Sequence, residues 1–246
     1  MICVQVPATT ANFGAGFDSL GAALGYYNRI WMEEWDGCWI EILDDTLVPT
    51  DETNLIYQTA KALYERCGRP FKGLHIRQEN RIPTARGLGS SSACIAGGLL
   101  AANELLGRPC DQAQLVDLAA EMEGHPDNST PALLGGFVAA AMEENHVYCA
   151  QCPVPEGLGF VAVIPDFELK TADARRALPD QYDRADGVYN LSRSALMAIS
   201  MAQGKLENLR IAAQDRLHQP YRLGRSLISL TNNRLTPPIS AVPAPP

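Results

Sequence analysis

Residues 83–106 read PTARGLGSSSACIAGGLLAANELL. A short Gly/Ser loop runs straight into a helix of small residues. The first amides of a helix have no intrahelical partner, and the helix dipole is positive there. Gly87 and Gly89 let backbone approach a phosphate closely, Ser90, Ser91 and Ser92 add hydroxyl donors, and Arg86 adds a cation. Together they describe an anion-binding loop. The same composition also fits a Ser-capped helix after a glycine turn. The loop is not a Walker A loop, because no Gly-Lys-Ser/Thr follows. Nor is it a dinucleotide fingerprint, because Ser92 stands where the third glycine would.

Outward from this loop, strands and helices are interspersed. Residues 2–6 read as a strand stopped by Pro7, and 8–21 as a Gly-rich loop. Residues 22–34 and 38–43 read as strands, with Asp36-Gly37 between them as a hairpin signal. A helix is predicted from Asn54 to Cys67, with apolar residues at 55, 56, 59, 60, 63 and 64, ended by Gly68. Residues 72–79 alternate as a strand, and 112–123 read as a second helix. EGHPDNSTPALLGGFVAAA, from Glu123, reads as a polar turn leading into a strand. Strands are expected at 146–152 and 158–164, and helices at 171–177, about 186–203 and about 205–217. Early hairpin-linked strands among helices favour α+β over a doubly wound parallel sheet.

Composition narrows the class. The 246 residues carry a net charge of −8, with 46% hydrophobic and 20% charged residues, as in a globular protein with a sizeable core. The acidic excess argues against a nucleic-acid partner. No run approaches a membrane span, and the N-terminus MICVQVPATTANFG lacks the pattern of a signal peptide, so a cytoplasmic protein is expected. The seven Cys are scattered and odd in number, which suggests reduced, mostly buried thiols. Cys149 and Cys152 form a C-x-x-C with no second pair at zinc spacing.

Three further segments carry chemistry. Glu121 and Glu123 close a helix, with His125, Asp127 and Asn128 just beyond. Carboxylates at a helix C-terminus oppose the dipole, a cost easier to understand with a cation opposite; Mg²⁺ takes one or two carboxylates plus substrate phosphates. Alone, the segment reads more simply as a solvated acidic helix end. Asn12 and Asp18 sit on a glycine-bent loop and suit an amine or hydroxyl ligand, or else local Asx turns. Thr171 and Arg175 share a helix face, and Arg222 follows a proline turn; Arg suits a carboxylate, or a surface ion pair.

In combination and order these segments resemble the homoserine kinases of the GHMP kinase superfamily. PATTANFGAGFDSLG resembles the first motif, with Ala15 where Pro is usual, and PTARGLGSSSA the phosphate loop, with Ser92 where Ala is usual. EGHPDNSTPALLGG, IPDFELKTADAR, YNLSRSAL and DRLHQPYR resemble further homoserine kinase segments. The resemblance implies an α+β fold with a ribosomal-S5-like N-terminal half and a ferredoxin-like C-terminal half. It places the domains at 1–152 and, incomplete, at 153–222, before a Pro-rich tail at 223–246. It implies transfer of the ATP γ-phosphoryl group to the side-chain hydroxyl of L-homoserine, on the route to threonine, with Mg²⁺ as cofactor and a possible homodimer.

The resemblance also distributes roles. Pro83, Arg86, Gly87, Leu88, Gly89, Ser90, Ser91, Ser92 and Ala93 would wrap the ATP phosphates. Ser91 or Ser92, with Glu121 or Glu123, would hold Mg²⁺. Asn12, Asp18, His125, Asp127 and Asn128 would line the homoserine site, Asp127 binding the amine and Asn128 orienting the hydroxyl. Arg175 and Arg222 would hold the substrate carboxylate, and Thr171 would lie beside the transferring group.

After HQPYR the resemblance stops. Family members continue with an SGSGPT-like motif, whereas here LGRSLISLTNNRLTPPISAVPAPP follows, without Asp or Glu and with a proline cluster. An out-of-frame or otherwise altered C-terminus is expected, with reduced stability and impaired activity. The alternative function is a kinase-like protein that binds ligand or oligomerises without turnover.

Overall fold

The computed structural model describes residues 1–162 and 171–222, the side chains of 171–173 excepted. The predicted tail and residues 163–164 of the strand expected at 158–164 lie outside the described residues. Strands β1 (Ile2–Ala11), β2 (Leu20–Glu34), β3 (Gly37–Ile42), β4 (Gly73–Glu79), β5 (Phe137–Glu143) and β6 (His146–Cys152) form one mixed sheet. Helices α1 (Leu55–Arg66), α2 (Ser90–Leu105), α3 (Gln112–Glu123) and α4 (Pro126–Leu134) interleave with them in sequence. Then come α5 (Thr171–Arg176), α6 (Arg184–Gln203), a 3-10 turn (Leu206–Asn208) and a short α7 (Leu209–Ala212). The α+β expectation stands.

The helix starts follow local chemistry. Asn54 caps α1 by accepting from the amides of Ile56 and Tyr57, while its own amide donates to the Pro49 carbonyl and the Gln78 side chain. Asp111 and Gln114 form a reciprocal capping box on α3. α2 is buried on nearly every side, which explains its small residues. A Cβ at Gly98 would lie 2.9 Å from the Ile56 carbonyl, so α1 and α2 pack with almost nothing between them.

Several sequence expectations are corrected. β1 does not stop at Pro7 but continues to Ala11, and its register against β2 shifts between Pro7 and Ala8. An irregularity is where a strand tolerates a residue without an N–H. The loop expected at 8–21 therefore shrinks to 12–19. Asp36-Gly37 does not make a hairpin. β3 runs parallel to β4, from Gly37 opposite Gly73 to Ile42 opposite Gln78, while β4 pairs antiparallel with β2. The turn is diverted because Trp35 N–H donates to the Gly73 carbonyl and Gly37 N–H to that of Lys72. Only glycine allows this approach: a Cβ at Gly73 (φ +137°) would lie 2.0 Å from the Gly37 carbonyl oxygen.

The polar turn expected after Glu123 is α4, started by Pro126 in its first turn. The helix expected at 205–217 breaks into the 3-10 turn, α7 and a run of bends. Of the strand expected at 158–164, residues 158–162 are described, and among them Ala162 alone forms a bridge. The thiols are less buried than expected: all seven Cys are free, Cys3 and Cys149 are exposed, and the rest are partly so. Among the described residues no helix is long and apolar enough to cross a membrane.

The α1 cap makes the packing testable. Asn54→Ala is expected to cost about 1–2 kcal/mol, read as a lower urea midpoint at unchanged slope. A midpoint equal to wild type would show that the cap contributes nothing.

Candidate active site

The phosphate-binding candidate lies between β4 and α2. Buried Asn28 accepts the Ile82 amide at 2.8 Å and fixes the loop's entry. Ala85, Gly87 and Gly89 then take positive φ, which turns the backbone onto α2. Gly89 is the N-cap of α2 and offers no capping side chain, so the first amides of the helix have no side-chain cap. Ser92 Oγ is fully buried and has no hydrogen-bond partner. An uncapped helix start beside an orphaned hydroxyl fits an oxyanion ligand. Pro83, Arg86, Leu88, Ser90, Ser91 and Ala93 lie on the same loop and first turn.

The structure separates the two helix-end carboxylates. Glu121 pairs with Arg66 of α1 at 3.0 Å. Glu123 accepts from Ser91 Oγ at 3.1 Å. Ser91 and Glu123 thus bring two hard oxygen donors together at the rim of the phosphate loop, a donor set that fits Mg²⁺ completed by phosphate and water.

Next to Glu123, α4 presents His125, Asp127 and Asn128 on its first turn. Asp127 is 1% exposed; its Oδ1 accepts from His125 Nδ1 at 2.6 Å, and its Oδ2 has no hydrogen-bond partner. The dipole at the start of α4 favours this buried carboxylate. The hydrogen bond to Asp127 is the main cause that raises the His125 pKa; burial opposes it, and the Asp127 and Glu123 charges add to it. Arg175 acts on the same imidazole in the opposite sense, which places α5 close by. Asn128 Oδ1 accepts from Thr9 Oγ1 at 2.8 Å.

The 12–19 loop faces this turn. Asn12 and Asp18 both take positive φ, and Asn12 Oδ1 accepts the Asp18 amide. Asp18 receives both guanidinium nitrogens of Arg175, at 2.8 and 2.9 Å. These two expected substrate ligands are therefore paired with each other. The Arg222 guanidinium lies 5.0 Å over the Phe17 ring, and that of Arg175 lies 5.7 Å from it. Burial lowers the Arg222 pKa, with the charges of Asp18, Arg175, Asp127 and Asp215 all in range. Thr171 opens α5, but its side chain lies outside the described residues.

The loop's backing was missed in the sequence. Asp215 accepts from Asn190 Nδ2 and from the amides of Leu217, His218 and Gln219. Burial alone would raise its pKa; these bonds outweigh burial and hold it below the usual carboxylate range. The segment so fixed lets His218 Nε2 donate to the Gly14 carbonyl at 2.7 Å, and Phe17 stacks on His218. The DRLHQPYR string was the available signal. A cavity of about 960 Å³ lies elsewhere, lined mainly by apolar groups such as Leu24, Leu134 and Phe160. It shares only Leu88 with the candidate residues. We place the site on the converging polar groups, since chemistry follows the groups that can bind and orient charge.

A glycine loop on a helix start lies directly against a carboxylate-bearing turn, beside a six-stranded mixed sheet, and the model of the GHMP kinases N terminal domain matches residues 54–136. A homoserine kinase of Caldicellulosiruptor saccharolyticus is 48% identical over 225 residues, covering 90% of this chain and 73% of that protein. One of Clostridium beijerinckii is 46% identical over 90% of this chain and 74% of its own length. The crystal structure of homoserine kinase from Cytophaga hutchinsonii superposes with a TM-score of 0.80 at 29% identity, over 91% of this chain and 74% of that one. The chain belongs to the homoserine kinase family, and its fold is the GHMP kinase fold.

Two predictions follow from the geometry. Gly89→Ala would set a methyl group 1.9 Å from Thr9 Oγ1 at φ +66°, whereas a Cβ at Gly87 (φ +72°) meets nothing within 4 Å. Gly87→Ala should cost about 1–2 kcal/mol of backbone strain, and Gly89→Ala clearly more, because overpacking adds to it. Equal losses in urea denaturation would refute the contact.

His125 supplies the second. Its folded pKa lies above the unfolded value of about 6.5. Its stabilisation is therefore complete below that pH and is lost as pH rises through the folded value. The Tm gap between wild type and His125→Gln should be widest on the acid side and narrow as pH rises through the raised folded value. A gap independent of pH would contradict the His125–Asp127 pair.

Proposed function

We propose that the chain phosphorylates the side-chain hydroxyl of L-homoserine with ATP, yielding O-phospho-L-homoserine on the route to threonine in the cytoplasm. The observation that carries this reading is Asp127 Oδ2, a buried carboxylate oxygen without a partner, set beside a phosphate-type loop. Such an oxygen costs stability unless a ligand donor satisfies it, and the ammonium group of an amino acid is such a donor.

The amides of the α2 start and the Ser92 hydroxyl would take the β- and γ-phosphates, with Arg86 alongside. Ser91 and Glu123 would hold Mg²⁺, which when bound neutralises phosphate charge. Asp127 would bind the substrate amine, and His125 holds that carboxylate in orientation through the bond to its Oδ1. Asn128 would orient the acceptor hydroxyl. Arg175 and Arg222 would bind the substrate carboxylate, with Asp18 yielding or sharing Arg175, while Asn12 holds the loop and Thr171 lies toward the transferring group. The oxygen–phosphorus bond forms as the bond to ADP breaks, and the hydroxyl proton leaves with the phosphate oxygens or solvent. No strong base is required, because the transition state is loose and catalysis rests on positioning and charge.

The test is a coupled ADP-release assay with Mg-ATP and L-homoserine against L-serine and mevalonate. Homoserine-dependent turnover is expected; binding of Mg-ATP and homoserine without turnover would favour the binding-only alternative. Asp127→Asn should raise the homoserine KM at least about 10-fold, since a charged hydrogen bond is lost. Unchanged kinetics in that variant would sink the assignment of Asp127.

A further inference from the structure

We propose that Thr9 is a positioning residue that couples the phosphate loop to the acceptor-binding turn of α4. The proposal rests on the kinase reading above and adds a residue that reading leaves without a role. Thr9 lies on β1, is fully buried, and touches both halves of the site. Its amide donates to the Leu88 carbonyl at 3.1 Å, inside the phosphate loop. Its hydroxyl donates to Asn128 Oδ1 at 2.8 Å, on the first turn of α4. Gly89, the pivot between loop and α2, comes so close that a Cβ there would lie 1.9 Å from this same hydroxyl oxygen. One side chain is thus wedged between the two parts that must hold donor and acceptor in line.

The hydroxyl also decides what Asn128 can do. The bond from Thr9 fixes the amide's orientation by occupying one lone pair of Oδ1, which turns the nitrogen end of Asn128 away from Thr9. Asn128 can then donate toward an oxygen, whether the acceptor hydroxyl or a phosphoryl oxygen. A rotated amide would reverse that sense. Removing the Thr9 hydroxyl frees the amide to rotate and loosens the distance between loop and turn. Small misplacements of this kind weigh on the chemical step more than on ground-state binding.

Thr9→Ser and Thr9→Ala both lose the γ-methyl group and differ from each other by the hydroxyl alone, so packing effects cancel between them. In the ADP-release assay Thr9→Ser should keep kcat within about threefold of wild type. Thr9→Ala should lose at least about 10-fold in kcat, with the KM values for ATP and homoserine shifting less than about threefold. Equal kcat in the two variants, or a loss carried wholly by KM, would overturn the proposal. Should Thr9→Ala not fold, Thr9→Val, which keeps the side-chain shape without the hydroxyl, takes its place against Thr9→Ser.

Calorimetry separates failure of this proposal from failure of the functional reading. The homoserine Kd is measured with and without Mg-ADP. Wild type and Thr9→Ser should bind homoserine at least about fivefold more tightly with the nucleotide present, and Thr9→Ala less than about twofold. Wild-type turnover with the same coupling in all three proteins overturns the role of Thr9 alone. Wild-type coupling without turnover, abolished in Thr9→Ala, supports Thr9 and overturns the catalytic reading. Wild type that binds neither ligand overturns both.

Discussion

The site depends on how closely glycine backbone can approach its neighbours. At Gly89 the phosphate loop rests on Thr9, and at Gly21 the first turn of α4 rests on β2, where a Cβ would lie 1.9 Å from the Asp127 carbonyl oxygen. At Gly14 the 12–19 loop lies against α7's end, where a Cβ would be 2.5 Å from Ala213 Cα. Each of these contacts removes a side chain's width between an element that carries site residues and the scaffold behind it. The spacing of Ser91, Glu123, Asp127 and Asp18 follows from those three approaches more than from any single hydrogen bond.

Such spacing needs a stiff support. The buried helix α2 packs on α1 and against Ile30 of β2, whose Cδ1 would sit 2.2 Å from a Cβ at Gly97. Close-packed interiors transmit displacement instead of absorbing it. A change at the α1–α2 contact therefore reaches the phosphate loop directly, since the loop ends where α2 begins. The C-terminal half supports the other side by polar means: Asp215 organises the segment whose His218 and Gln219 both bond the Gly14 carbonyl.

Local signals made α1 through α3 legible, α1 also with its Asn54 cap and its buried stripe. The phosphate loop was legible because its glycines, serines and helix start are contiguous. What could not be read were choices between distant partners. Asp36-Gly37 carries a hairpin signal, but Lys72 and Gly73 capture the turn and turn β3 parallel to β4. α4 was hidden because its first turn is polar for the site's sake, although Pro126 and Asp127 are ordinary helix-start residues. Glu121 and Glu123 were equivalent by spacing; only the fold shows that one turns to Arg66 and the other to Ser91. Thr9 carried no local signal of its importance, since it acts through Leu88 and Asn128, far away in the chain.

The pairing of Asp18 with both guanidinium nitrogens of Arg175 gives the cleft a character that a bare cation would not. A carboxylate arriving at Arg175 meets a guanidinium already paired and must share it or exchange with the partner already there. The gain is then a difference between two similar ion pairs, and a simple anion leaves the displaced Asp18 charge uncompensated. A zwitterion brings its own remedy, because its ammonium group can meet the carboxylate that its carboxylate displaces. In the proposed binding mode, discrimination between amino acids and plain hydroxy acids would begin at this ion pair, before any contact with the substrate side chain is made.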